Sequence, residues 1–253
     1  MAALRLTLAY DGTDFHGFAR QPGLRTVGGT LAEALAQLHG RELPFSVAGR
    51  TDTGVHARGN VVGIEHDGRV PDERLPAALN QILPEDVAVV ACARAPDGFD
   101  ARADARSRRY VYRVLARGEP DPLGRRYELH HPRPLDRGAL AACAAAVVGR
   151  HDFRAFTPTE TQHVFFERTV LSARWIEDGE RLELHLEADA FLRHMVRILV
   201  GTMLERPEPD HLRRLLEGAP RSAAGRTAPA RGLTLAGVRY DHDDAGGLAR
   251  DLG

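Results

Sequence analysis

The chain has 253 residues, 34 basic side chains against 35 acidic ones, and a formal net charge of −1. All 34 bases are arginine, which excludes chemistry built on an ε-amino group: the Gly-Lys-Ser/Thr phosphate loop, pyridoxal and other Schiff-base catalysis, and the kinase strand lysine. The longest uncharged stretch, Gly138 to Gly149, falls far short of the roughly 20 residues of a membrane span. There is no signal-peptide cleavage pattern, His-Glu-x-x-His or Cys-x-x-Cys, so the expectation is a cytoplasmic protein with no membrane, no metal and two lone thiols, Cys92 and Cys143.

Leu4 to Tyr10 alternates apolar and polar residues and reads as a strand. Thr30-x-x-Glu33 has the form of a capping box opening a helix that Gly40 closes. Phe45 to Ala48 and Asn60 to His66 read as strands, Pro76 opens a short helix to Ile82, and Val87 to Ala93 is a fourth strand. After a turn at Pro96 to Gly98 the β-α-β-β-α-β order repeats. The second copy comprises strand Arg108 to Leu115, helix Asp136 to Val148, strands Thr169 to Ile176 and Leu182 to Ala188, helix Phe191 to Leu204, and strand Leu233 to Tyr240. Ala116 to Pro134 reads as a surface linker and Asp241 to Gly253 as a loosely held tail.

Two such units make an α+β protein of two ferredoxin-like (split βαβ) domains, with antiparallel sheets, helices on the sheet faces and a central cleft. The expected domains are residues 1–104 and 105–253. Charge is segregated along the chain: +5 over Arg102–Arg126, −5 over Asp152–Asp189 and +5 over Arg193–Arg239. Two separated arginine segments suit a surface that follows phosphates, although solvated helix and strand faces would give the same count.

The stretch that carries chemistry is Gly49-Arg50-Thr51-Asp52-Thr53-Gly54-Val55-His56-Ala57, which leaves an apolar strand between two glycines. If the backbone stays extended, Arg50 and Asp52 project to the same side, where guanidinium and carboxylate can meet. Taken alone, such a pair serves equally to fix a turn.

This stretch resembles the signature of the tRNA pseudouridine synthase A family. Six further segments match in the same order: Tyr10-Asp11-Gly12-Thr13-x-Phe15-x-Gly17-Phe18, Leu79-Asn80 with Leu83-Pro84-Glu85-Asp86, Phe99-x-Ala101-Arg102, Ser107-Arg108-Arg109-Tyr110-x-Tyr112, Gly149-x-His151-Asp152-Phe153, and Phe191-Leu192-x-His194-Met195-Val196-Arg197. Ala228-Pro229-Ala230-x-Gly232-Leu233 closes the series. The resemblance implies a cofactor-independent homodimer that isomerises uridine to pseudouridine at positions 38, 39 and 40 of the tRNA anticodon stem-loop. It implies Asp52 as nucleophile, Arg50 as its partner and the group that displaces the base, and Tyr110 against the uracil. Arg109, Arg197, His56 and Arg58 are further expected RNA or substrate contacts, while Tyr112, on the same strand face as Tyr110, is expected to pack. Whether Asp52 attacks C1′, attacks C6 or abstracts the 2′ proton to give a glycal stays open.

Thr53 stands where many members of that family have Ala, and Asp100 where His commonly precedes Ala-Arg. Two readings of other classes compete. A non-catalytic RNA module of tandem RRM sheets would display Gly-Phe-x-Phe strands, which are absent. A glycosidase would place a second acid beside Asp52, where the motif has an arginine.

Overall fold

A computed structural model describes residues 2–161 and 163–241; the expected tail beyond Asp241 lies outside them. By internal contacts the described residues divide into two units, one comprising residues up to 108 together with 235–241, the other residues 109–234.

The first unit runs β1 (Ala2–Tyr10), α1 (Val27–His39), β2 (Phe45–Val47), β3 (His56–His66), α2 (Leu75–Asn80), β4 (Val87–Arg94). Its strands lie in the order β4-β1-β3, antiparallel throughout, and β2 adds antiparallel to β3. The alternation in β1 does what its spacing implies: Leu4, Leu6, Leu8 and Tyr10 are buried. Leu4 and Leu6 stand opposite Ile64 and Val62. The buried faces of α1 (Val27, Leu31, Ala34, Leu35) and α2 (Leu75, Leu79) complete this apolar layer. β3 is buried on both sides, because a second small core of Ala48, Val61, Ala101 and Tyr240 forms under its other face.

The capping box at Thr30 does not form. α1 starts four residues earlier, where Thr26 accepts from the Gly29 amide at 3.1 Å. Gly28-Gly29, ahead of the expected start, lies in the first turn, and the Gly28 amide donates to the Phe18 carbonyl at 2.9 Å. Gly40 closes the helix in the left-handed conformation, as expected.

The second unit contains β5 (Ser107–Leu115), which enters it from the first, then β6 (Leu129–His130), α3 (Arg137–Ala146), β7 (Gly149–Asp152), β8 (Glu167–Asp178), β9 (Arg181–Ala188), α4 (Met195–Glu205) and α5 (Pro209–Leu215). β10 (Leu233–Arg239) leads back out of it. The strand order is β5-β9-β8-β7. β9 buries Leu182, Leu184, Leu186 and Ala188 on one face, and α3 packs on β8 and on α4 and α5. Both units are α+β. Three short elements went unread: α5, which starts at Pro209, β6, which lies inside the expected linker and pairs parallel with β5, and β7, which pairs antiparallel with β8.

From Leu235 onward the last strand, expected in the second domain, groups by its contacts with the first unit. Tyr240 anchors it there, its ring 5.2 Å from that of Phe99 and its hydroxyl donating to the Ala101 carbonyl at 2.7 Å. α4 also begins later than expected. His194 is left-handed (φ 62°), so no helix can run through it, and Phe191 and Leu192 owe their apolar character to packing ahead of the helix. Among the described residues no helix is long and apolar enough to cross a membrane.

Candidate active site

In the first unit the chain leaves β2, bends at Ala48 and reaches β3 through 49–55, a loop without regular structure that turns at Thr53–Gly54. It is held from several directions. The Phe18 amide donates to the Thr51 carbonyl at 3.0 Å, the Gly54 amide to the Phe15 carbonyl at 3.3 Å, and the Val55 amide to the Asp52 carbonyl at 3.1 Å. Gly17, at φ 85°, lies so close beneath the loop that a Cβ there would stand 2.9 Å from the Thr51 carbonyl oxygen. Segment 11–18, read in the sequence only as a motif, is therefore the floor of this loop.

Thr51 is buried between two outward-facing neighbours. Its hydroxyl lies 2.8 Å from the Tyr10 phenol, which also accepts from Asn60 Nδ2 at 3.1 Å. Burial holds the Tyr10 proton well above the ordinary phenol range, with the Thr51 and Asn60 hydrogen bonds opposing that shift only in part. Asp52 is half-buried and Arg50 exposed. The bend and the turn take this segment out of the regular pleat on which the expected Arg50–Asp52 pair rested. Among the described residues no ion pair engages Arg50.

His56 and Arg58 both lie on β3. Arg58 is exposed, whereas His56 is buried. The Gly12 amide donates to His56 Nδ1 at 3.0 Å, and Asp11 Oδ1 lies 3.1 Å from the same nitrogen. These contacts compete. While Gly12 donates, Nδ1 is an acceptor and the neutral ring carries its proton on Nε2. Asp11 Oδ1 is meanwhile occupied by the Thr13 amide and hydroxyl at 2.9 and 2.6 Å. In this geometry His56 fastens the Asp11–Gly12 turn to the start of β3.

In the second unit Tyr110 is half-buried on β5, its ring meeting the edge of Phe191 at 5.0 Å and 83°. Phe191 was not singled out by the motifs as a site residue. Tyr112 is fully buried, with its hydroxyl donating to the Pro229 carbonyl at 2.8 Å, so its packing role is as expected. Arg109 is exposed. Arg197 is partly buried in α4, and its Nε donates to the Ala228 carbonyl at 2.8 Å while the Ala228 amide returns to the Arg197 carbonyl at 3.0 Å.

The arginine surplus is smaller at the surface than in the count. Arg106, Arg113 and Arg117 pair with Asp241, Glu183 and Glu180, and Arg206, Arg213 and Arg226 pair with Glu208, Asp210 and Glu205. Away from the loop, His39, His66 and Asp67 bring three possible metal-ligand atoms within 4.8 Å of one another. Asp67 Oδ1 is already taken by His39 Nδ1 and the Arg69 amide, both at 3.1 Å, and His66 Nε2 by the Val70 carbonyl at 2.6 Å.

A family model described as tRNA pseudouridine synthase matches residues 7–103 and 143–241. The chain is 42% identical over 246 residues to the tRNA pseudouridine synthase A of Moorella thermoacetica, a match covering 95% of this chain and 100% of that one. It is 40% identical over 245 residues to the protein of the same name in Bacillus subtilis (94% and 99% covered) and 40% identical over 247 residues to that of Anoxybacillus flavithermus (96% and 100% covered).

Proposed function

The chain belongs to the tRNA pseudouridine synthase family, and on that premise we propose that it isomerises uridine to pseudouridine at positions 38, 39 and 40 of the tRNA anticodon stem-loop, with Asp52 as nucleophile. The enzyme is an isomerase, and the reaction conserves atoms. The N1–C1′ bond breaks, a C5–C1′ bond forms, C5 gives up its proton and N1 ends protonated.

The observation that carries the role of Asp52 is the clamping of its loop. A carboxylate that attacks sugar or base and later relays a proton must be held in one place while the uracil turns, since effective concentration depends on fixed geometry. Thr51 and Val55, on either side of Asp52, are both buried, and the Asp52 carbonyl itself is hydrogen-bonded. The half-buried carboxylate keeps one side open to a substrate.

A uridine inside a stem cannot reach such a group without leaving the stack, at a cost of a few kcal/mol. Arg50, exposed and not engaged by a carboxylate among the described residues, is suited to occupy the space the base leaves. Tyr110 offers a face to the uracil and a hydroxyl that can donate or accept. Exposed arginines such as Arg109 and Arg58 hold phosphates, which positions the RNA without reading its sequence and suits an enzyme serving several neighbouring positions. The same reading has the protein working as a cytoplasmic homodimer without a cofactor.

The test follows tritium from an anticodon stem-loop transcript labelled at C5 of uridine, because C5 loses its hydrogen only when it bonds C1′. Release is expected from the purified chain with chelator present, and is lost site by site when uridines 38, 39 and 40 are replaced by cytidine. Asp52→Ala is expected to bind the transcript and release nothing; full release by that variant would overturn the assignment.

A further inference from the structure

We infer that Asn60, Tyr10 and Thr51 form a positioning relay that sets the Asp52 carboxylate for turnover, an inference that rests on Asp52 as nucleophile. Asn60 is completely buried, at 0% exposure, and every hydrogen-bonding position of its amide is used. Its Oδ1 accepts from the Gly49 amide at 3.2 Å and the Val61 amide at 2.9 Å; its Nδ2 donates to the Gly49 carbonyl at 2.8 Å and to the Tyr10 phenol at 3.1 Å. Gly49 presents both an N–H and a C=O to the same side chain, so the amide can sit only one way round. This removes the usual ambiguity about which end donates.

Asn60 donates to the Tyr10 oxygen, and the phenol and the Thr51 hydroxyl, 2.8 Å apart, share the next hydrogen bond, in which either oxygen can donate. The relay therefore runs from Asn60 through Tyr10 to Thr51, the residue preceding Asp52. It has no solvent competitor, because Tyr10 and Thr51 are 5% and 6% exposed.

Two further features mark the arrangement as built. The β1–β3 register slips between Leu8 and Tyr10. Leu8 faces Asn60 and Tyr10 faces Ala57, so the extra residue lies on β3 just ahead of Asn60, where a bulge re-aims side chains, while Tyr10 keeps its place in the buried Leu4–Leu6–Leu8 series. The chain also has only two asparagines, Asn60 and Asn80. Asn80 grips a single backbone residue in the same manner, both ends of its amide engaging Val89. Asn80 holds an ordinary strand, whereas Asn60 adds a third partner, and that partner leads to the loop of Asp52.

The relay acts through Thr51 and touches no substrate, so its signature is loss of turnover without loss of RNA binding. Tyr10→Phe keeps the ring and removes its hydroxyl, Thr51→Val keeps the shape and removes the partner hydroxyl, and Thr51→Ser keeps that hydroxyl. Each of the first two is expected to lower kcat on the stem-loop by about tenfold, since sub-ångström misplacement of a reacting group has effects of this order. KM and the RNA dissociation constant should stay within twofold. The double variant should lose no more than either single one, and Thr51→Ser should recover most of the rate.

Single-variant rates within twofold of the parent, a double variant losing the product of the two single losses, or a rise in KM matching the fall in kcat would each overturn the relay. Asp52→Ala is run beside them. If it is fully active, the reading of Asp52 fails; if it is inactive while Tyr10→Phe and Thr51→Val are normal, only the relay fails.

Discussion

A methyl group on Gly12 would stand 2.0 Å from the carbonyl oxygen of Val55. The turn after β1 and the end of the Asp52 loop are thus in backbone contact, joined also by the Gly12 amide on His56.

Gly12→Ala must push the two backbones apart, and overpacking of this kind costs about 1–3 kcal/mol or more. For a chain of this length that corresponds to a fall in Tm of several degrees. Gly237→Ala is the control, since a Cβ there meets nothing within 4 Å and the backbone is not left-handed. Thermal melts should show a clear loss for Gly12→Ala and little change for Gly237→Ala. Equal melting temperatures would mean that the contact yields without cost.

Arg50 separates chemistry from stability. It is exposed and engages no ion pair among the described residues, so Arg50→Ala should melt within a degree or two of the parent. Its turnover on the stem-loop should nevertheless fall by about tenfold or more if Arg50 takes the proposed place of the displaced base. A normal rate would remove Arg50 from the site.

What the sequence made legible follows the physics of each feature. β1, β9 and the order of strands and helices show as period-two and period-3.6 patterns, because burial enforces them residue by residue. The start of α1 was hidden by Gly28-Gly29, whose low helix propensity is overridden by contact with Phe18. The start of α4 was hidden because Phe191 and Leu192 are apolar for packing ahead of the helix. The loop of Asp52 could be found as a motif, but its support could not. Tyr10 and Asn60 lie 41 and 9 positions from Thr51, and only the antiparallel pairing of β1 with β3 brings them to it. The expected pairing of Arg50 with Asp52 rested on the alternation of an extended strand, and the bend at Ala48 and the turn at Thr53–Gly54 remove that premise.

A pH dependence of stability is expected at Glu183 on β9. Burial pushes its pKa up, but hydrogen bonds from Arg113 at 2.5 Å and His185 at 2.8 Å outweigh burial and hold it below the ordinary value. A depressed carboxylate stabilises the fold above its unfolded pKa, and that contribution is lost as pH falls through the lower folded value. Glu183→Gln should therefore lower Tm at pH 7, with the deficit shrinking as pH drops below about 4.5, the unfolded value. A deficit independent of pH from 7 to 3 would assign the loss to packing instead.

Both cysteines are free, Cys143 buried and Cys92 half-buried, and burial pushes each thiol up to about 11. The reactive species is the thiolate, which at pH 7.5 is then well under one part in a thousand. A thiol reagent added to the native enzyme should label slowly and leave turnover unchanged, while the unfolded chain takes up two equivalents at once. Rapid native labelling would show that these thiols are reached without unfolding.

The Tyr110–Phe191 edge contact fixes how the aromatic face is presented, and this can be separated from the phenol hydroxyl. A Tyr ring on a strand can turn about χ2 unless a neighbour holds it, and Phe191 meets it nearly perpendicular at 5.0 Å. Stacking of a base on an aromatic ring is worth about 1–3 kcal/mol, or roughly 5- to 150-fold in kcat/KM. Tyr110→Ala should lose an amount in that range on the stem-loop. Phe191→Leu keeps apolar volume but removes the ring edge, so it should lose a smaller part of the same quantity while melting near the parent temperature. Tyr110→Phe then reads the hydroxyl alone: with the face intact, any further loss measures the hydrogen bond to the uracil. If Tyr110→Ala stays within threefold of the parent in kcat/KM, the ring does not receive the base, and the support given by Phe191 serves the fold only.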